Sequence, residues 1–227
     1  MIELYSWPAP NGQKIHILLE ELGVSYRTLP IDITRGAQHQ PRYRAVNPNG
    51  KIPAIIDHAP QGGGAPITLF ESGAIMVYLA EKTGMFLAND VRGRAETLQW
   101  LFWQVGGLGP MMGQAQHFFR YAAAPVPYAI ERYQAETRRL LKLLDERLTG
   151  RNYVCGDYGI VDMACFPWVR VHKMTGVTLD HYPQLKAWYA RVRGRPAVGR
   201  ALDLLRDQWV DVANSAQAKH NLFQVQE

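Results

Sequence analysis

The chain has 227 residues, 47% of them hydrophobic and 20% charged, enough apolar material for a packed core and not the composition of a disordered protein. Its net charge of +5 comes without a long basic run or a basic–aromatic repeat, which argues against a nucleic-acid partner. No apolar run reaches the ~20 residues that span a bilayer, and the start Met1-Ile2-Glu3-Leu4-Tyr5 lacks a basic segment followed by an apolar one, so a cytoplasmic protein with no membrane partner is expected.

Ile2–Ser6 reads as a short strand, followed by a helix over Gln13–Leu22 with Ile15, Leu18, Leu19 and Leu22 on one side and Gly23 as its stop. Tyr26–Asp32 reads as a second strand, parallel to the first. Ile52–Asp57 and Ile67–Phe70 read as two more, joined by a loop containing Gly62, Gly63 and Gly64. Ser72 then opens a helix over Gly73–Thr83 that Gly84 closes. Beyond Leu87–Arg92 the strand pattern ends. Arg94–Phe119 reads as one long helix interrupted at Gly106–Pro110. Pro127 starts another, with Ile130, Tyr133, Leu140, Leu141, Leu144 and Leu148 as its apolar stripe. Two helices follow, near Ile160–Met174 and Pro183–Arg193. The pattern therefore predicts an α/β domain over 1–86, a linker over 87–93, an all-α domain over 94–206 and a loosely held tail over 207–227.

The two cysteines, Cys155 and Cys165, have the spacing of neither a redox pair nor a zinc site. They read as small apolar residues in helices, so any redox chemistry must take its thiol from outside the chain. No metal is expected. Residues 1–86 balance their basic and acidic side chains, leaving the whole positive excess to the rest of the chain.

Two dipeptides carry chemistry. Ile52-Pro53 alone reads as an edge-strand proline; a cis Pro53 would instead turn the Ile52 N–H and C=O outward, ready for another peptide backbone. Ser72 alone reads as a helix N-cap. Glu71-Ser72 between a strand and a helix start also offers a carboxylate site on free N–H groups, with a carboxylate beside it for an ammonium. Together these features ask for a zwitterionic peptide.

Asn47-Pro48-Asn49-Gly50-Lys51-Ile52-Pro53-Ala54-Ile55, Leu69-Phe70-Glu71-Ser72-Gly73-Ala74-Ile75 and Tyr78-Leu79 resemble the glutathione-site signature of cytosolic glutathione transferases. Tyr182-Pro183, Trp188 and Arg195-Pro196 resemble that family's last helices, so the resemblance runs over about residues 1–205. Trp7-Pro8-Ala9-Pro10-Asn11-Gly12-Gln13-Lys14, the run Leu98–Pro110 and Pro127–Tyr133 are similar to the Nu class, whose bacterial members are glutathione-dependent disulfide-bond oxidoreductases. The resemblance implies a thioredoxin-like N-terminal domain, an all-helical C-terminal domain and a homodimer formed through the helices near Ala95–Gln104 and Ser72–Leu79. It implies glutathione as cosubstrate, one or two molecules or the oxidised form per subunit.

By the same resemblance, Ile52 ahead of a cis Pro53 pairs with the cysteinyl backbone, and Lys51 belongs to that glutathione-binding loop. Glu71 and Ser72 hold the γ-glutamyl end, Gln38 reaches the glycyl end, and Asn11 faces the sulfur as the catalytic residue. Arg132 takes a carboxylate of a second glutathione; without the resemblance it reads as a solvated helix residue beside Glu131 and Glu136. Tyr5 and Ser6 are the rivals of Asn11 for the sulfur.

The sequence departs from the class pattern at two positions. Ala9 stands where the class has a threonine whose hydroxyl contacts the sulfur, and Gly159 stands where the family usually has a Ser or Thr helix cap. Two functions from different classes follow. One is an enzyme that reduces small disulfides with glutathione, or conjugates or acts as a peroxidase. The other is a glutathione-binding regulatory module with little turnover.

Overall fold

The computed structural model describes residues 1–223. They fall into two compact units, Met1–Thr83 joined by the chain from Arg200 onward, and Gly84–Gly199. In the first unit β1 (Ile2–Ser6), α1 (Pro10–Leu22), β2 (Tyr26–Pro30), α2 (Pro41–Arg44), β3 (Ala54–Asp57), β4 (Ile67–Phe70) and α3 (Ser72–Thr83) follow in order. Among the described residues the sheet has four strands in the order β2-β1-β3-β4, with β1 parallel to β2 and β3 antiparallel to both β1 and β4. This is a thioredoxin-like mixed sheet, and Leu4, Ile15, Leu18, Leu19, Ile55, Ile75 and Leu79 form its fully buried core.

Helix α1 begins three residues earlier than its apolar spacing predicts. Pro10 occupies the first turn, where its missing N–H would have no partner in any case. Gly23 closes the helix as expected, at φ 63° with its N–H on the Leu19 carbonyl. Strand β3 starts at Ala54 and not Ile52, because the Ile52–Pro53 bond is cis and Pro53 has no ladder donor. The connection from β2 to β3 is not bare loop. It holds 3-10 turns at Ile33–Arg35 and Ala37–His39 ahead of α2.

The second unit is helical, and among its described residues the only β pairing is a pair of isolated bridges within Tyr153–Asp157. Its helices are α4 (Val91–Trp103), α5 (Gly109–Gln116), α6 (Pro127–Arg147), α7 (Ile160–Arg170) and α8 (Pro183–Arg193), while α9 (Pro196–Asp203) crosses the boundary between the units. The break expected at Gly106–Pro110 does not occur. A π-helical turn at Gln104–Leu108 absorbs the glycines, and Pro110 falls in the first turn of α5. Leu140, Leu141 and Leu144 of α6 pack in the core with Phe166 and Trp188. Asp162 in the first turn of α7 ties that core together, accepting from Val154 N at 3.0 Å, Gly159 N at 3.1 Å and Trp188 Nε1 at 2.7 Å.

Gly159, the second departure from the family pattern, has a steric reason. A Cβ there would lie 2.9 Å from the Phe86 carbonyl oxygen, which accepts from Ile160 N at 3.1 Å. The tail also differs from expectation. Its segment α10 (Ala216–Phe223) packs on the Ile33–Arg35 turn, and Asn221 Nδ2 donates to the Thr34 carbonyl at 2.7 Å. A buried side-chain hydrogen bond of this kind was invisible to a reading based on apolar period. Residues 224–227 of the expected tail lie outside the described residues.

Candidate functional site

Strand register brings three separated segments to one end of the sheet. Tyr5 is opposite Ala54, and Ala54 is opposite Phe70. The chain therefore leaves β1 into Trp7–Pro10, enters β3 from Ile52–Pro53 and leaves β4 into Glu71–Ser72 at the same edge.

The first segment carries Asn11. It is the second helical residue of α1 and half-buried, behind an Ala9 cap that has no side-chain hydrogen bond. Gly12 makes the tight approach possible, since a Cβ there would lie 2.2 Å from the Trp7 carbonyl and 2.4 Å from Ser6 Oγ. The rivals for a sulfur contact are engaged elsewhere. Ser6 is fully buried with its hydroxyl 2.9 Å from His16 Nε2. The Tyr5 hydroxyl donates to Glu3 at 3.2 Å and its ring lies 6.1 Å from that of Tyr43.

The second segment is anchored one residue before it is needed. The Lys51 carbonyl accepts from Tyr43 Oη at 2.5 Å and Asn47 Nδ2 at 2.6 Å, while the Lys51 side chain is exposed. Ile52 packs against Ile31, Tyr43 and Ala54. Among the described residues its N–H and C=O have no backbone partner. A strand-like peptide laid beside Ile52 would satisfy both groups.

The third segment combines strain, a helix start and a buried cation. Glu71 is exposed and has φ 71°, a left-handed backbone that residues other than glycine rarely adopt. Its carbonyl accepts from Ile75 N at 2.9 Å, so Glu71 takes the cap position and Ser72 is the first helical residue. Ser72 is thus not the N-cap that its residue type suggests. Its hydroxyl instead accepts from Lys14 Nζ at 3.3 Å. Lys14 is only 2% exposed. The sequence reading missed it because lysine defaults to solvent. The available signal was its place one turn before Leu18 on the apolar face of α1.

Gln38 is 4% exposed, with Nε2 donating to the Asn221 carbonyl at 3.2 Å and its Oε1 buried without a partner. Its own carbonyl lies 3.2 Å from where a Cβ on Gly50 would sit, which places it beside the Lys51–Ile52 loop. Arg132 belongs to the second unit, on the exposed face of α6. Glu136, its expected neighbour, accepts from Nε and Nη2 of Arg139 at 2.8 and 2.7 Å. The Arg132 charge adds, after that of Arg139, to holding the Glu136 carboxyl below its usual range.

Cys165 is buried, and burial, assisted by the charges of Asp162 and Glu96, pushes the Cys155 thiol up to about 11. Among the described residues no cluster of His, Cys, Asp or Glu could hold a metal, and no helix is long and apolar enough to cross a membrane.

The site therefore offers a peptide backbone, an anion cradle, an adjacent carboxylate and a buried acceptor, and contains no thiolate of its own. Comparison with known proteins gives the family. The family model of the glutathione S-transferase N-terminal domain matches residues 1–81, and that of the glutathione S-transferase C-terminal domain matches residues 117–196. The disulfide-bond oxidoreductase YfcG of Escherichia coli K12 is 53% identical over 203 residues, covering 89% of this chain and 94% of its own. A glutathione transferase from Pseudomonas putida, solved with one glutathione disulfide per subunit, superposes with a TM-score of 0.86 at 41% identity, covering 89% of this chain and 91% of its own. A family member from Pseudomonas fluorescens, solved with two glutathione bound, gives 0.84 at 42%, covering 89% and 92%. On fold, site and relatives together, this chain belongs to the glutathione S-transferase family.

Proposed function

We propose that the chain binds glutathione at the Asn11, Ile52 and Glu71–Ser72 edge of its sheet and uses it to reduce small disulfides, in the manner of the Nu class. The observation that carries this reading is the convergence of the unpaired Ile52 backbone with the Glu71–Ser72 helix start. A dipeptide backbone bonds the first, and an α-amino acid end bonds the second through its carboxylate and ammonium. Gln38 Oε1, buried without a partner, fits an N–H donor at the glycyl end. Lys51 holds the loop by its carbonyl, and Arg132 is assigned to a carboxylate of a second glutathione.

Bound glutathione supplies the reacting thiol that the site lacks: two such thiols and one disulfide give glutathione disulfide and two product thiols. The chain's own residues bind and orient. Asn11, in the first turn of α1, aims an amide N–H and the positive end of the helix at the sulfur position and so favours the anion. Lowering a thiol pKa by about two units takes about 2.7 kcal/mol of such preference. Ala9 adds no hydroxyl to this effort. Two free cysteines fit a reducing, cytoplasmic setting. Phe102, 66% exposed on α4, is an apolar side chain that a homodimer through this helix would cover.

The test is turnover of 2-hydroxyethyl disulfide with glutathione as reductant. The expected result is saturable, enzyme-dependent formation of glutathione disulfide. Tight glutathione binding with no turnover would replace the enzyme with the regulatory-module reading.

A further inference from the structure

The Lys14–Ser72 contact joins two elements. Lys14 lies in the second turn of α1, Ser72 is the first helical residue of α3, and the two side chains meet at 3.3 Å with both buried. An ammonium group has three donors and no acceptor. In this contact the Ser72 oxygen must therefore accept, and its own O–H proton is directed to some other acceptor. The backbone N–H groups that open α3 are donors as well. Behind them stands a cation shielded from water, where its charge acts at a lower dielectric than at the surface. The Ser72 hydroxyl, the first N–H groups of α3 and the Lys14 ammonium thus all present donors or positive charge. Immediately before it, the left-handed turn at Glu71 offers an exposed carboxylate.

From this we infer that Lys14 is a positioning residue that locks the Ser72 hydroxyl as a donor and makes this end of the site selective for the α-carboxylate of a γ-glutamyl group. The inference rests on the glutathione reading and deepens it. Lys14 acts through Ser72 and through its charge, at one hydroxyl's remove from the ligand. Replaced by an apolar side chain of similar length, it frees Ser72 to point its proton elsewhere and removes the buried charge. The carboxylate then loses both its aligned donor and its counter-charge. The neighbouring ammonium, which faces Glu71, loses neither.

The experiment compares two peptides by titration calorimetry on the full-length protein: glutathione, and 4-aminobutanoyl-Cys-Gly, which lacks only the α-carboxylate. In Lys14→Met the dissociation constant for glutathione rises about tenfold or more, while that for the carboxylate-free peptide changes less than about threefold. Lys14→Arg restores part of the preference. In a Ser72→Ala background, Lys14→Met has a smaller effect than in the native protein, because the hydroxyl it orients is gone. Equal weakening for both peptides, or none for either, overturns the assignment by showing a role in packing alone. Should Lys14→Met fail to fold, Lys14→Arg and Ser72→Ala decide the matter: an unchanged preference in Ser72→Ala overturns it. A native protein that binds neither peptide overturns the glutathione reading itself, an outcome separable from failure of the Lys14 assignment alone.

Discussion

His16 Nε2 lies 2.9 Å from Ser6 Oγ where α1 packs on β1, and both side chains are fully inaccessible to solvent. The contact occupies the Ser6 hydroxyl and gives the buried His16 a pH signature. Burial lowers the imidazole to about 4, so it is neutral in the folded protein at pH 7. In the unfolded chain it titrates near ~6.5. The folded value is depressed, so its contribution is complete above about pH 6.5 and is lost as pH falls toward 4. The expected effect is about 2 kcal/mol less stability at pH ~5 than at pH ~7.5 from this group. Urea midpoints at the two pH values, in the native protein and in His16→Asn, measure it. An unchanged pH slope in the variant contradicts the assignment.

Gly12 is the steric hinge of the Asn11 turn. Because a Cβ at this position meets the Trp7 carbonyl at 2.2 Å, Gly12→Ala forces α1 away from β1. A loss of about 3 kcal/mol is expected, together with weaker glutathione binding because Asn11 moves with the turn. Thermal melts and calorimetry report the two effects, and native-like values in both would show that the turn relaxes freely.

Asn11→Ala tests the sulfur contact. Removing a hydrogen bond to an anion lowers kcat/KM for disulfide reduction by about 10- to 100-fold and raises the thiol pKa of bound glutathione. The ultraviolet absorbance of the thiolate, followed against pH, reads the second effect. Undiminished turnover would move the sulfur contact to another residue.

Gly159 carries a folding role. Its substitution by Ala places a methyl 2.9 Å from the Phe86 carbonyl, which cannot swing away as a side chain would. The expected cost is about 1–3 kcal/mol, read as a lower denaturation midpoint. A midpoint equal to or above the native one would mean that Gly159 is exchangeable for the usual cap.

Much of this architecture was legible in the residues. Strand β1, whose burial alternates, and Pro183–Arg193, which buries Leu185, Trp188 and Val192 on one side, follow directly from the order of side chains. The Ile52-Pro53 and Glu71-Ser72 dipeptides stood out as a strand-start proline and a strand-to-helix junction, while the cis bond followed from the family resemblance. What escaped depends on partners distant in sequence. Lys14 is buried through Ser72, 58 residues on, and Gln38 is tied to Asn221, 183 residues on. The left-handed Glu71 escaped because only the fold forces a glutamate there. The start of α1 was missed since Ala9-Pro10-Asn11 carries turn residues that serve equally as a first helical turn.

The most direct measurement of the central claim is a crystal of the protein soaked in oxidised glutathione. The account predicts a tripeptide whose cysteinyl backbone pairs with the Ile52 N–H and C=O, whose γ-glutamyl end lies on Ser72 and Glu71, and whose sulfur faces Asn11. Density for the tripeptide at another edge of the sheet, or none at saturating ligand, would contradict it.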